Sequence, residues 1–220
     1  VLISPKSAQD WYAKGLAHSR LNQWMDAIES LESAKLFGYA QRDVLYALGK
    51  AYEGKGELEN ASSAYLSAAG AISSEVVGRG DALFADGWLK VYQKSPPDDR
   101  GAIDAFKQSI AAGDFSRKQA GMAAAYFQLG HAYLRLGDYE HAVASYREAS
   151  RLAPQSSDYR VSLGVALLRA GNDNEGLSSL NDAMKLNPEN VPALLAMGDY
   201  YQAKGDAVMA ERVYSRVLSI

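Results

Sequence analysis

Residues 127–154 read FQLGHAYLRLGDYEHAVASYREASRLAP. Two apolar-periodic runs flank a Gly-Asp pair, and a proline closes the stretch. Tyr126, Leu129, Gly130 and Tyr133 fall at i, i+3, i+4 and i+7, the spacing of one helix face. Ala142, Tyr146 and Ala149 repeat that spacing in the second run. The stretch therefore predicts two helices joined by a tight turn. With His131 and His141 it could be a hairpin carrying its own ligands. If the same pattern recurs elsewhere, it is instead one copy in an array.

The pattern recurs. LGHAYLRLGDYEHAVASYREA, from Leu129, aligns with LGKAYEGKGELENASSAYLSA, from Leu48, at Leu-Gly-x-x-Tyr, the turn glycine and the later Ala, Tyr and Ala. MGDYYQAKGDAVMAERVYSRV, from Met197, follows it with Val217 in the last place. LGVALLRAGNDNEGLSSLNDA, from Leu163, substitutes Leu167, Gly176 and Leu180, and KGLAHSRLNQWMDAIESLESA, from Lys14, is a fifth copy. A sixth is weaker: AIDAFKQSI, from Ala102, matches the second half and WLKVY, from Trp88, approximates the first. The small residue of each second helix (Ala27, Ala61, Ala102, Ala142, Gly176, Ala210) marks intervals of 34, 41, 40, 34 and 34 residues.

Packing explains the recurring letters. Gly130 and Ala142 are small where two helices approach, while Tyr126 and Tyr146 fill gaps; close contacts bring helix axes to roughly 8 Å. The turn needs positive φ, which Gly56, Gly137, Gly171 and Gly205 supply and Asn22 supplies in the first copy. Pro154 and Pro188 stop second helices, and Val191-Pro192 opens a first one.

Over residues 8–220 the chain resembles the tetratricopeptide repeat family, whose unit of about 34 residues reads W-x-x-L-G-x-x-Y followed by A, F, A and P. The resemblance implies an all-α, right-handed superhelical solenoid of antiparallel helix hairpins. It implies one domain over 1–220, with repeats near 8–41, 42–75, 82–116, 123–156, 157–190 and 191–220 and irregular connectors near 70–81 and 112–122. The third repeat departs most: KSPPDDR, residues 94–100, replaces its Gly-Asp turn. AAGAISSEVVGRGDAL, from Ala68, and AAGDFSRKQAGMAAA, from Ala111, lengthen the connections on either side. These insertions read either as drift in surface connectors or as a partner contact on that edge.

Stacked repeats expose an apolar face where the stack ends. Val213, Val217, Leu218 and Ile220 would form it, so the chain is expected either to be part of a longer protein or to self-associate through its uncapped terminal repeats. The start, VLISPKSAQD, lacks an initiator Met and has neither the basic start nor the long apolar core of a signal peptide. It too reads as a trimmed piece, and the compartment stays open.

Composition excludes several classes. A net charge of −3 argues against a general nucleic-acid binder, which needs a basic surface. The absence of cysteine removes disulfides, thiolate metal sites and cysteine nucleophiles. No apolar run approaches the roughly 18 residues of a membrane span. GKAYEGKG, from Gly49, resembles a phosphate-binding loop but ends in Gly56 rather than a hydroxyl residue and follows no strand. Arg79-Gly80-Asp81 spells an adhesion tripeptide in an irregular connector, where coincidence is the simpler reading. His18 replaces a packing Tyr and reads as a core residue, and His141 reads as outward-facing. The three histidines show no metal-ligand spacing. No metal, cofactor or catalytic set is expected, and the chain reads as a non-enzyme.

In the family, the concave groove lined by first helices receives a partner peptide or helix. The groove positions read here are Tyr12, Leu16, Arg20, Tyr46, Lys50, Lys90, Lys94, Phe127, His131, Arg135, Arg169 and Asp199. Aromatic rings recur at one slot (Tyr12, Tyr46, Phe127), and basic residues recur at the inner end (Arg20, Lys94, Arg135, Arg169). Both types supply interface hot spots, and together they predict an acidic-to-amphipathic protein partner of unknown identity. The best-known members clamp the C-terminal carboxylate of heat-shock chaperones with lysines, asparagines and an arginine. The matching places here hold Tyr12, Leu16, Ala47, Leu83 and Gly87, so capture of that kind is not expected. The main reading is a non-catalytic interaction scaffold. Alternatives are a recruitment or regulatory module of a larger enzyme or of a secretion or assembly complex, and a peptide-sensing regulator.

Overall fold

A computed structural model describes residue 5 and residues 7–39, 41–71 and 77–220. The expectation for the first connector therefore falls partly, at 72–76, outside the described residues. Among the described residues the chain is all helical: α1 Ala8–Arg20, α2 Trp24–Leu36, α3 Gln41–Lys55, α4 Leu58–Gly70, α5 Arg79–Tyr92, α6 Asp99–Ala112, α7 Lys118–Arg135, α8 Tyr139–Leu152, α9 Ser157–Arg169, α10 Asp173–Leu186, α11 Val191–Ala203 and α12 Ala207–Leu218. They form an all-α helical repeat fold in two compact units, Val1–Gly121 and Met122–Ile220. In each unit, consecutive helices pair as hairpins and each hairpin packs on the next.

The turn chemistry follows the sequence. Gly56, Gly137, Gly171 and Gly205 have positive φ, and Asn22 takes φ 57° in the first hairpin. The aspartate after the glycine caps the next helix: Asp138 accepts from the His141 N–H at 3.2 Å and Asp206 from the Met209 N–H at 3.1 Å. Each bond satisfies an amide that a helix start leaves open. α8 and α10 end two residues before Pro154 and Pro188.

Every first helix carries one glycine beneath a large side chain of its partner. A Cβ on Gly49 would stand 2.4 Å from the Tyr65 ring, and one on Gly87 would stand 2.7 Å from Phe106. Gly15, Gly130, Gly164 and Gly198 meet Leu31, Tyr146, Leu180 and Tyr214 in the same way. The marker residues Ala27, Ala61, Ala102 and Ala142 are wholly buried. Gly49 precedes Ala61 by 12 residues, whereas Gly87 precedes Ala102 by 15. The third hairpin therefore holds three extra residues in its turn, which includes a cis Ser95–Pro96 peptide.

The described parts of the two lengthened connections meet each other. Arg42, only 6% exposed, donates to the carbonyls of Ala68 at 3.2 Å and Ala71 at 2.9 Å and to the Asp114 carboxylate at 3.3 Å. The Asp114 carbonyl accepts from the Gly80 N–H at 2.7 Å, and its carboxylate from the Arg79 N–H at 3.1 Å. Asp81 accepts from the N–H groups of Gly78 at 2.9 Å and Ser116 at 2.7 Å. Phe115 is buried against Gly80 and Gly121. The adhesion-like tripeptide is thus the first turn of α5, with its carboxylate engaged internally.

At the end of α12 Leu218 is 88% exposed, and Ile220 beyond it is 55% exposed, whereas Val213 packs against the cluster of Leu180, Ala193 and Met197. Among the described residues no helix is long and apolar enough to cross a membrane.

Candidate partner-binding groove

The packing glycine sets the register of each first helix. Three residues before it stand Tyr12, Tyr46, Phe84, Phe127, Val161 and Leu195; one residue after it stand Leu16, Lys50, Trp88, His131, Val165 and Asp199. Positions separated by four residues share a helix face, so each pair defines a stripe that leaves the packed seam.

In the first unit Tyr12 stacks on Tyr39 with centroids 4.5 Å apart. Burial and then the Asp43 charge push its hydroxyl up to about 12. Tyr46 is held between the packing clusters of α4 and α5, and burial, then Asp81 and Glu53, push it up to about 12. Tyr65 donates to Glu53 at 2.6 Å and titrates far above the ordinary value, chiefly through burial. Lys50 pairs with the same Glu53 at 3.0 Å and lies 5.7 Å from the Tyr65 ring. Leu16 is half-buried and Arg20 exposed.

The register of α5 differs from the sequence reading. Gly87 against Phe106 places Lys90 where Tyr52 and Tyr133 stand, and Lys94 at the turn position of Gly56 and Gly137. Both lysines line a cavity with residues of α4; Lys90 pairs with Asp86 one turn earlier on α5 itself, and Lys94 lies 3.8 Å from Asp98 at the start of α6. The stripe instead carries Phe84, Trp88 and Tyr92. Trp88 and Tyr92 have centroids 4.0 Å apart, and Phe84 lies 5.6 Å from Phe106. The sequence hid these rings because Asp86-Gly87 replaces Leu-Gly and three inserted residues defeat counting back from Ala102. The Gly-Trp pair was the available signal.

In the second unit Phe127 stacks on Tyr159 at 4.4 Å and meets His131 edge-on at 4.5 Å. His131 also stands edge-on to Tyr146 at 5.4 Å. Burial, then the Arg135 charge, lowers its pKa below the ordinary value. Arg169 and Asp199 line one cavity of ≈330 Å³ with Val165, Leu168, Ala196 and Tyr200. Asp199 accepts from the Tyr214 hydroxyl at 2.7 Å. Arg135 is exposed at the end of α7. The other two histidines lie elsewhere. His18 is half-buried rather than enclosed, with Nδ1 2.7 Å from Gln23 Oε1, because it sits in the last turn of α1. His141 is exposed, stacked on Tyr133 and 2.8 Å from Asp138.

The tetratricopeptide repeat profile matches residues 12–75 and again residues 123–156. These two segments are tetratricopeptide repeats. No curated protein matches it. Solved tetratricopeptide proteins share its fold at low identity. The C-terminal part of a repeat protein from Cytophaga hutchinsonii superposes with TM-score 0.77 at 16% identity, covering 97% of this chain and 83% of that one. MamA gives 0.65 at 19% identity, covering 83% and 92%. YrrB, described as a TPR protein with an unusual peptide-binding site, gives 0.64 at 18%, covering 86% and 90%.

Proposed function

We propose that this tetratricopeptide protein is a non-catalytic scaffold whose first-helix faces take an extended or helical segment of a partner protein. The supporting observation is the shared register of half-exposed rings: Tyr12, Tyr46, Phe84 and Phe127, with Trp88 and His131 four residues on from the last two. Aromatic side chains dominate interface energetics when they are pre-positioned, and here each ring is fixed by a neighbouring ring or a packed cluster. The faces differ in charge. In the first unit Lys50 is paired with Glu53, and Lys90 and Lys94 face away. In the second, Arg135 and Arg169 add positive charge. A segment held on the first unit is apolar where it meets α5, and a segment held on the second unit is acidic where it meets α7 and α9.

Peptides selected from a random displayed library on the immobilised protein test this reading. Trp88→Ala and Phe127→Ala are each expected to weaken the selected peptides by at least about tenfold, the loss of one hot-spot ring. Unchanged affinity in both variants would overturn it.

A further inference from the structure

Within the first unit, α4 and α5 flank an open cavity of ≈850 Å³, inside the range of roughly 300–1,000 Å³ typical of small-molecule sites. Leu58 and Leu66 of α4 and Leu89 of α5 form its apolar wall. Leu58 and Leu66 are about 12 Å apart along the helix at its ordinary rise. Lys90, near the C-terminal end of α5, and Lys94, just beyond it, line the cavity, and Ser62 lines the α4 side. By helical spacing this wall of α5 lies opposite Phe84, Trp88 and Tyr92.

Asp86 lies beneath the cavity with no exposed surface. Ser62 Oγ donates to its Oδ1 at 2.5 Å, and Lys90 Nζ forms an ion pair with its Oδ2. The same register holds Leu48, Leu129, Leu163 and Met197 in other repeats, and Tyr52, Tyr133 and Tyr201 replace Lys90 in three of them. A buried ion pair is weak evidence of stabilisation, because apolar residues of similar volume usually serve as well. Its effect here is positional. An ammonium has three donors, and Asp86 holds Lys90 against the cavity while leaving donors free to turn into it. Lys94 is 61% exposed and its carboxylate neighbour Asp98 is 3.8 Å away. The charged residues lining the cavity are Lys90, Lys94 and Glu59.

We propose that this cavity binds a small amphiphile with one carboxylate head and an apolar tail. The head lies between Lys90 and Lys94, the tail runs along Leu58, Leu66 and Leu89, and Asp86 is a positioning residue. The site is separate from the first-helix faces and does not depend on their occupant.

Calorimetric titration of the 220-residue chain with octanoate below its micellar range tests the proposal, with octanol as the uncharged comparison. Saturable binding at one site is expected, with octanol weaker. Ser63→Trp, which fills the cavity from an exposed lining position, should weaken octanoate at least about tenfold, and Lys94→Gln about three- to tenfold, the loss of one charged contact. Asp86→Leu with Lys90→Tyr restores the residues of other repeats; it should keep or raise Tm yet lose octanoate binding. If that pair does not fold, Ser63→Trp and Lys94→Gln decide. No saturable binding, equal affinity for octanol, or Ser63→Trp binding like the wild type would overturn the proposal.

Discussion

The ring of Tyr146 lies directly over Gly130, so that a Cβ on the glycine would stand 2.7 Å from ring carbon. Tyr146 is wholly buried and also meets Phe127 and His131, so it cannot swing away without disturbing both. Overpacking of this kind costs about 1–3 kcal/mol, against at most about 1 kcal/mol gained by replacing a helical glycine with alanine. Gly130→Ala is therefore expected to destabilise the protein by about 1–2 kcal/mol in urea denaturation. Gly70→Ala, where nothing lies within 4 Å of the added carbon, should be neutral or slightly stabilising. Equal effects at the two sites would refute the packing account.

The turns give the second prediction. Asn22 holds φ 57° without the freedom of glycine. Asn22→Gly should stabilise the first hairpin by a few tenths of a kcal/mol, since asparagine tolerates this region better than other side chains. Gly137→Ala, at φ 75°, should cost about 1–2 kcal/mol. Thermal denaturation of both variants checks the opposite signs.

The Arg42 contacts give the third. Arg42→Met keeps the apolar stem but leaves the Ala68 and Ala71 carbonyls without its donors. Hydrogen bonds from a charged donor contribute about 1.5–3 kcal/mol, and the loss should fall in that range. Amide exchange should accelerate at residues 78–81 and 114–116, which the Asp114 and Asp81 contacts tie together, and not in the second unit.

His131 gives a pH prediction. Burial, then Arg135, lowers its folded-state pKa beneath the ordinary 6.5. The unfolded chain therefore binds the proton more readily, and the folded state favours the neutral ring. Its contribution is complete above pH 6.5 and is lost as pH falls below that value through the folded pKa. His131→Phe keeps a ring against Phe127 and Tyr146 and should flatten the fall in stability between pH 7 and pH 5.5. An unchanged profile in the variant would exclude His131 as its source.

The hairpins were legible wherever one residue type answers one local demand. Positive φ at Asn22, Gly137 and Gly205, and the stops before Pro154 and Pro188, depend on adjacent residues alone. The packing glycines were equally plain where leucine or methionine precedes them. The register of α5 is harder to see, because Asp86 replaces that leucine and the longer turn shifts the count, so that counting along the sequence places Lys90 and Lys94 on the face that Phe84 and Trp88 occupy. The Arg42 contacts were beyond sequence reading for another reason. Their partners are 26, 29 and 72 residues away, and no short-range periodicity encodes such distances.

Repeat arrays commonly lengthen and shorten by whole repeats, because each repeat touches only its neighbours. Arg42 breaks that independence. Its guanidinium belongs to the second hairpin, yet one of its acceptors lies on the far side of the third. Excising α5 and α6 would remove the span that carries the chain back to Asp114, and duplicating them would move that residue out of reach. The second and third hairpins are thus fixed as an indivisible block in heredity and in protein engineering. The tandem repeats of α7 to α12, spaced at 34 residues, remain the part of the molecule where copies can be added or dropped.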